Sequence, residues 1–356
     1  MKPRKTETIL YFTDKKINVT ESLAPDLISF SYDDKEGGEL DEISVSLKDD
    51  KGKWAGRWKP DSGEIVRAKI KTEAGVLNCG TFYVDSMRSA FGSSSTFELR
   101  AVSAPLNTPI RRRLKTRSWE KLSLKTIAAG IAKEAELKCL YDSQENPKYD
   151  RQDQKGESDL TFLSRLCEES GFSLKVTDNK LVIYDQLSYE KKKPITTLTK
   201  GVSDILSADF EASVSNNYKS VTVSYRDPKQ KKEGKAGSYN MNLEKEKKTT
   251  NAAVMEFTYT DPDADPNGQE YKLKKRATSI EEAERLAKAK MRQLNRRTVT
   301  GNMSIVGDVR LIAGVVVAIK GFGSFDGNFF IENAGHSVSS SGYVTSLSLR
   351  RVNTNY

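Results

Sequence analysis

The chain has 356 residues and a mass of 39.8 kDa, enough for two or three domains that each bury a core. Hydrophobic residues at 37%, charged residues at 30%, mean hydropathy of −0.61 and a net charge of +9 describe a polar-surfaced protein, and 14 Tyr, 13 Phe and 3 Trp exclude wholesale disorder. The longest near-apolar run, Leu311 to Ile319, is too short for a membrane helix, and no apolar stretch follows the basic start Met1 to Lys5 to make a signal peptide.

From Ile9 to about Val102 the chain reads as strands. Ile43–Leu47, Val66–Ile70 and Phe97–Ala101 alternate with period two, and Gly37-Gly38, Gly52, Gly63, Gly75 and Gly92 punctuate them. Residues 1–104 are therefore expected to form a first β domain.

The period then changes. Leu124, Ile127, Ala128, Ile131 and Ala135 recur at helical spacing after Ser123, an N-cap type. A second helix starts at Ser158, with Leu160, Leu163, Leu166 and Cys167 as its stripe and Gly171 as its stop. Phe172–Val176 and Lys180–Tyr184 flank Asp178-Asn179 as a hairpin. Residues 105–200 read as a small α+β domain that leaves through Lys191-Lys-Lys-Pro194.

Strands return at about 202, in a third domain spanning 201–356. Residues 229–276, lysine-rich and poor in large apolar side chains outside Ala253–Tyr259, are expected to be a long excursion or mobile hairpin. A helix follows, with Ser279 and Glu282 as a capping box, a face of Ala283, Leu286, Ala287, Met291 and Leu294, and the pairs Glu281–Arg285 and Glu284–Lys288. Strands then run from Met303 to Val352.

The outer β domains look like copies of each other. At a constant offset of 178, Asp26–Ser29 matches Asp204–Ser207, Ile43–Ser46 matches Val221–Ser224, and Asp49 matches Asp227. Gly80–Asp85 also matches Gly327–Glu332, with Ile65–Ile70 and Val315–Ile319 upstream and Phe97–Arg100 and Leu347–Arg350 downstream. The helix after Ser279 has no counterpart in the first half. Two similar domains per chain would let three chains make a ring of six similar places.

Motifs for chemistry are sparse. Gly321–Gly327 is followed by a strand, so it is a turn rather than a dinucleotide loop. Asp261–Gly268 has alternating carboxylates, but Pro266 and Lys272 stand where a calcium loop needs Gly and Glu, which leaves only a looser oxygen-ligand site. Cys79, Cys139 and Cys167 form no CxxC pair. Cys167 belongs to a helix face, and His336, the sole histidine, has no suggested base-orienting partner. The basic excess sits in Arg111–Arg113, Lys191–Lys193, Lys229–Lys235 and Lys272–Arg276, which read as solvated loops and protein contacts before nucleic-acid contacts.

The segment Gln154-Lys-Gly-Glu-Ser-Asp-Leu-Thr-Phe-Leu-Ser-Arg-Leu-Cys-Glu-Glu-Ser-Gly-Phe172 resembles the "Q…ESD…FL.RL..E.G" stretch of the phage late-control D family. That family includes baseplate hubs of contractile phage tails and the hub part of type VI secretion spike proteins. Thr116–Trp119 through Ser123–Ala128, and Gly307–Gly314 through Phe325–Gly327 and His336 to Leu349, are similar to further family segments. In the central motif, Ser158 suits a cap and Glu157 and Asp159 suit the helix's positive end. Phe162, Leu163 and Leu166 suit packing, and Arg165 suits an acid or backbone carbonyl partner. Gln154 and Gly171 complete the family-motif residues.

The resemblance implies a mainly β, α+β protein with two tube-like antiparallel β-barrel domains flanking the small α+β domain. It implies a homotrimeric, non-enzymatic hub without catalytic, metal or cofactor residues. The duplicated barrels would form a pseudo-sixfold ring joining a hexameric tail tube protein to a trimeric spike protein. Other baseplate proteins, and DNA passing through the lumen without specificity, are further expected partners. The location implied is the baseplate of a virion or tail-like particle, assembled in the bacterial host cytoplasm. No periodic β-helix follows the second barrel, so the spike is expected to be a separate chain. The rival readings are a tail-associated peptidoglycan-degrading enzyme, a type VI-like spike component and a nucleic-acid-binding module.

Overall fold

The computed structural model describes residues 5–13, 17–105, 109–213, 217–226, 254–261, 264 and 266–352. The protein is mainly β. In Glu42–Lys48, Ile43, Val45 and Leu47 are buried while their neighbours are not, the signature of a strand with one face on a core.

Among the described residues, thirteen strands form one sheet. From one edge, Ile205–Ala212 pairs with Val299–Val306, then come Gly342–Arg351 and Gly327–Ser339. Gly327–Ser339 also pairs with Leu27–Lys35. The sheet continues through Glu42–Lys48, Thr96–Val102, Gly75–Ala90, Ile65–Thr72 and Thr6–Phe12 to Ile17–Asn18. Val316–Lys320 branches from Gly327–Ser339 and carries Thr197–Thr199 in parallel. The halves thus meet edge to edge, and each has its own apolar cluster. Val338 and Tyr343 of the second half lie in the cluster of the first.

The halves share strand order and irregularities. Leu27–Lys35, Glu42–Lys48, Thr96–Val102, Gly75–Ala90 and Ile65–Thr72 neighbour one another as Ile205–Ala212, Val299–Val306, Gly342–Arg351, Gly327–Ser339 and Val316–Lys320 do. The register shifts at Ile28 and at Leu206, and again at Asp85 and at Glu332. Those positions are the offset of 178 and the Gly80–Asp85/Gly327–Glu332 match.

Two of the sequence matches need correction. Val221–Ser224 lies in a separate three-stranded sheet, and the counterpart of Glu42–Lys48 is Val299–Val306. The last match slides by two residues: Leu99 pairs with Val45 and Met87 as Leu347 pairs with Met303 and Ala334. Alternating Val, Ile, Ser and Thr satisfy any half-buried strand, so composition alone misplaces both. Asp227 lies outside the described residues.

Between the halves in sequence, helices Leu124–Glu134 and Asp159–Glu169 pack on the three-stranded sheet Lys138–Asp142, Phe172–Thr177 and Lys180–Asp185. Ser123 and Ser158 cap the helices, accepting from Thr126 N at 3.3 Å and Thr161 N at 3.2 Å. Asp178 and Asn179 take φ of 46° and 57°, as a two-residue hairpin turn requires. Sequence periodicity misses the ribbon Lys115–Ser123/Lys148–Glu157, which is too polar on both faces to alternate.

The lysine-rich excursion is partly built. Val254–Thr260 and Gln269–Ala277 flank Tyr218–Arg226 in a sheet covered by helix Ile280–Asn295; of the expected excursion 229–276, residues 229–253, 262, 263 and 265 lie outside the described residues. Lys272, Lys274 and Arg276 occupy the outer face of Gln269–Ala277, so that cluster is strand rather than loop. Helix Ile280–Asn295 is capped by Ser279, which accepts from Glu282 N at 3.2 Å. The Glu282 carboxylate turns back to Thr278 rather than to Ser279.

Candidate functional site

The family-motif residues gather where helix Asp159–Glu169 leaves the ribbon. Asp159 is 1% exposed at the first position after the Ser158 cap, where the helix end favours its charge. It pairs with Lys115 at 2.5 Å and Arg117 at 2.8 Å. Gln154, fully buried, donates to Asp159 Oδ1 at 2.9 Å and to the Glu157 carbonyl at 3.0 Å, and accepts from Arg117 Nε at 2.9 Å. Lys115 and Arg117 also hold Glu134 at 2.7 Å each. Partial burial opposes the Glu134 charge, yet these hydrogen bonds outweigh it and keep its carboxyl below the usual range.

Arg165 has both expected kinds of partner: Glu157 Oε1 at 2.8 Å and the Asp153 carbonyl at 3.1 Å. Phe162, Leu163 and Leu166 are fully buried, and Phe162 stacks on Trp119 with ring centroids 6.2 Å apart. Gly171 ends the helix at φ +79°. The motif therefore binds two helix ends to one ribbon, and each of its charges faces an opposite charge or a dipole.

Sequence reasoning missed two further charge clusters, both at junctions. Lys175 of the hairpin is held by Asp34 and, at 3.1 Å, by Asp41; it donates to the Lys35 carbonyl at 2.7 Å. Asp34 also accepts from Ala313 N at 2.9 Å, so three parts of the chain meet there. Burial pushes the Asp41 carboxyl up to about 6, against the pull of Lys175. A cleft of about 730 Å³ opens beside this cluster, with Asp34, Lys175 and Cys79 on its wall. Burial also pushes the Cys79 thiol up, so it is not a ready nucleophile.

The second cluster centres on Arg350, 1% exposed, beside Glu190 at 2.5 Å and Glu332 at 3.1 Å. Arg292 of the long helix joins Glu190 at 2.5 Å, and Arg297 joins Glu332 at 3.1 Å. A sequence signal existed for Asp34, which falls in the inward phase of Phe30 and Tyr32. None existed for Arg350, which is out of phase with Leu347 and Leu349 and is buried because the other sheet face is also covered there.

His336 is fully buried and structural in its contacts. Nδ1 faces the Tyr343 hydroxyl at 2.7 Å and Thr345 Oγ1 at 3.3 Å, and the ring stacks on Tyr32. Cys167 lies in the middle core. Of the basic clusters, Arg111 approaches Asp85, Lys272 pairs with Glu256, and Lys275 reaches Glu169 at 2.5 Å. Those charges meet protein acids; Lys229–Lys235 lies outside the described residues, as do Pro262, Asp263 and Asp265 of the acidic stretch.

Solved structures carry the same architecture. The 43 kDa tail protein of prophage MuSo2 from Shewanella oneidensis superposes with a TM-score of 0.70 at 14% identity, covering 98% of each chain. A type VI secretion component of E. coli, described as similar in structure to T4 bacteriophage tail proteins, superposes at 0.59 and 12% identity, over 93% of this chain and 75% of that one. The fold is thus one shared with a prophage tail protein and a type VI secretion component.

The chain belongs to the phage tail baseplate hub (GPD) family, whose profile matches residues 83–342. The probable baseplate hub protein of Escherichia phage 186 is 24% identical over 364 aligned residues, 93% of this chain and 90% of that protein. The role of the chain is structural, at the hub of a tail baseplate.

Proposed function

We propose that three copies of the chain close into a ring in which the six half-sheets occupy quasi-equivalent places, joining a sixfold tail tube to a threefold spike. The observation that carries this reading is the shared strand order of the two halves, down to the bulges at Ile28 and Leu206 and at Asp85 and Glu332. A tube subunit then meets nearly the same surface six times, while the ring keeps the symmetry of the spike. Residues 1–104 and 201–356 supply the tube-like units, which close into a barrel only in the ring, and residues 105–200 brace them.

In this reading the motif at Gln154, Glu157, Ser158, Asp159, Phe162, Leu163, Arg165, Leu166 and Gly171 stiffens the brace against load during injection. The outer basic strand Gln269–Ala277 faces other baseplate proteins, the lumen passes DNA without specificity, and the hub works within the assembled particle.

The hub is non-enzymatic in this reading. The cleft beside Asp34 favours the rival, a peptidoglycan-degrading enzyme. Glycosidase chemistry needs two carboxylates about 5–10 Å apart that both face a substrate. Asp34 and Asp41 instead grip one ammonium, and Asp41 is fully buried.

Light scattering tests the ring. A species of three times the 39.8 kDa chain mass, alone or with the spike protein, is expected. A monomer under both conditions overturns the reading, and peptidoglycan turnover lost on Asp34→Asn overturns its non-enzymatic part.

A further inference from the structure

The junction between the two halves within one chain is a template for a junction between chains. Gly327–Ser339 has two partners beyond Glu332: Gly342–Arg351 on one side and Leu27–Lys35 on the other. Its counterpart Gly75–Ala90 has one beyond Asp85. Ser86–Ala90 pairs with Thr96–Arg100, and its other edge is open among the described residues. At the far end of the sheet, Ile205–Ala212, the counterpart of Leu27–Lys35, pairs with Val299–Val306 and has its outer edge open among the described residues. Among the described residues the chain thus has one open edge of each kind, and within the chain edges of those kinds are paired.

We propose that Ile205–Ala212 of one copy pairs antiparallel with Met87–Phe91 of the next, in the register that Leu27–Lys35 makes with Gly327–Ser339. The partner is a second copy of this chain, so the inference rests on the ring reading and adds its contact. Within the chain Asp34 faces Ala334, Tyr32 faces His336 and Phe30 faces Val338. Carried over by the offsets that align the bulges, Ala212 faces Met87, Phe210 faces Ser89 and Ala208 faces Phe91. Each pair sets a large side chain against a small one.

Exposure agrees with a missing neighbour. Phe30, Tyr32, Ala334, His336 and Val338 are buried, whereas Ala208 and Ala212 are exposed, Phe210, Met87 and Ser89 are half-buried, and Phe91 is 76% exposed. On the opposite face the register sets Glu211 against Arg88, an opposite-charge cross-strand pair that stabilises such a ladder. Arg88 is 77% exposed, and Glu98 lies 3.9 Å from it within the chain. An open apolar edge invites pairing, and pairing in a ring leaves none of these edges free.

The register also sets Ala90 against Asp209, both exposed. The full chain carrying Ala90→Cys and Asp209→Cys, with Cys139→Ser to remove the partly exposed native thiol, is oxidised and run without reductant. Covalent dimers and trimers are expected, and none from Ala90→Cys with Ala208→Cys, whose thiols face opposite sides of the sheet. As a second measurement, Arg88→Glu or Glu211→Arg alone raises the concentration at which the trimer dissociates, and Arg88→Glu with Glu211→Arg restores it. A trimer by light scattering that neither cross-links at 90/209 nor responds to the charge reversals overturns the strand junction while leaving the ring. A monomer overturns both.

Discussion

Arg350 and Glu190 meet at 2.5 Å with only 1% and 3% of their side chains exposed, tying the last strand of the sheet to the short helix Gln186–Glu190. Burial disfavours the Arg350 cation, but Glu190 and Glu36 outweigh it and raise its pKa. Such a pair does more to select one arrangement of units than to add net stability, because both charges have left water.

Removing one partner should therefore be costly. Arg350→Met is expected to lose up to about 3–5 kcal/mol, the range for breaking a buried pair, with Arg292 left on Glu190 and Arg297 on Glu332. Arg350→Met with Glu190→Gln should lose less than the two single changes together, since the two side chains are in direct contact and each single change already forfeits their pairing. Urea unfolding of the four proteins measures this. Equal midpoints for wild type and Arg350→Met would show the pair to be idle.

The motif offers a second test. Gln154→Leu keeps the volume but takes a donor from Asp159 and an acceptor from Arg117. The expected loss is about 1–3 kcal/mol. Ser158→Ala, which removes a cap, should cost about 1 kcal/mol. Hydrogen exchange should report the loosening first in Asp159–Glu169; unchanged protection there would remove the motif's bracing role.

Stability should depend on pH through two opposed groups. Burial lowers the His336 pKa from 6.5 to about 4. Between those values the unfolded chain binds a proton that the native chain does not, so this contribution is complete above pH 6.5 and is lost as pH falls through about 4. It amounts to about 3 kcal/mol at 1.36 kcal/mol per unit.

Asp41 has the other sign. Its pKa, raised from 3.8 to about 6, makes the native chain the better proton binder across that window. Its contribution is present at low pH and is lost as pH rises through 6. His336→Gln should flatten the acid limb of stability against pH, and Asp41→Asn should steepen it, both read by denaturant midpoints from pH 4 to 7.

Gly307 marks a tight approach. A Cβ there would overlap the ring of Tyr343, which holds His336. Gly307→Ala should cost about 1–3 kcal/mol, as overpacking does. A wild-type thermal midpoint would mean that the ring moves freely.

The helices Leu124–Glu134, Asp159–Glu169 and Ile280–Asn295, their serine caps and the Asp178-Asn179 turn were legible because period, capping and turn chemistry act within a few residues. So was most of the duplication, since Asp26–Ser29 and Gly80–Asp85 surround bulges that both halves keep. The ribbon Lys115–Ser123/Lys148–Glu157 and the strand Gln269–Ala277 were not, because charge on inward positions, such as Lys115, Arg117 and Lys275, hides the alternation. Strand neighbours were beyond local reading altogether. Any two alternating strands satisfy a ladder equally well, which is why Val221–Ser224 passed for the counterpart of Ile43–Ser46. Period and capping determined the elements. The choice of Leu27–Lys35 as neighbour of Gly327–Ser339, and the burial of Arg350, Glu190, Lys175 and Asp41 at the seams, were decided only in three dimensions, where each edge must find a partner and each buried charge an opposite one.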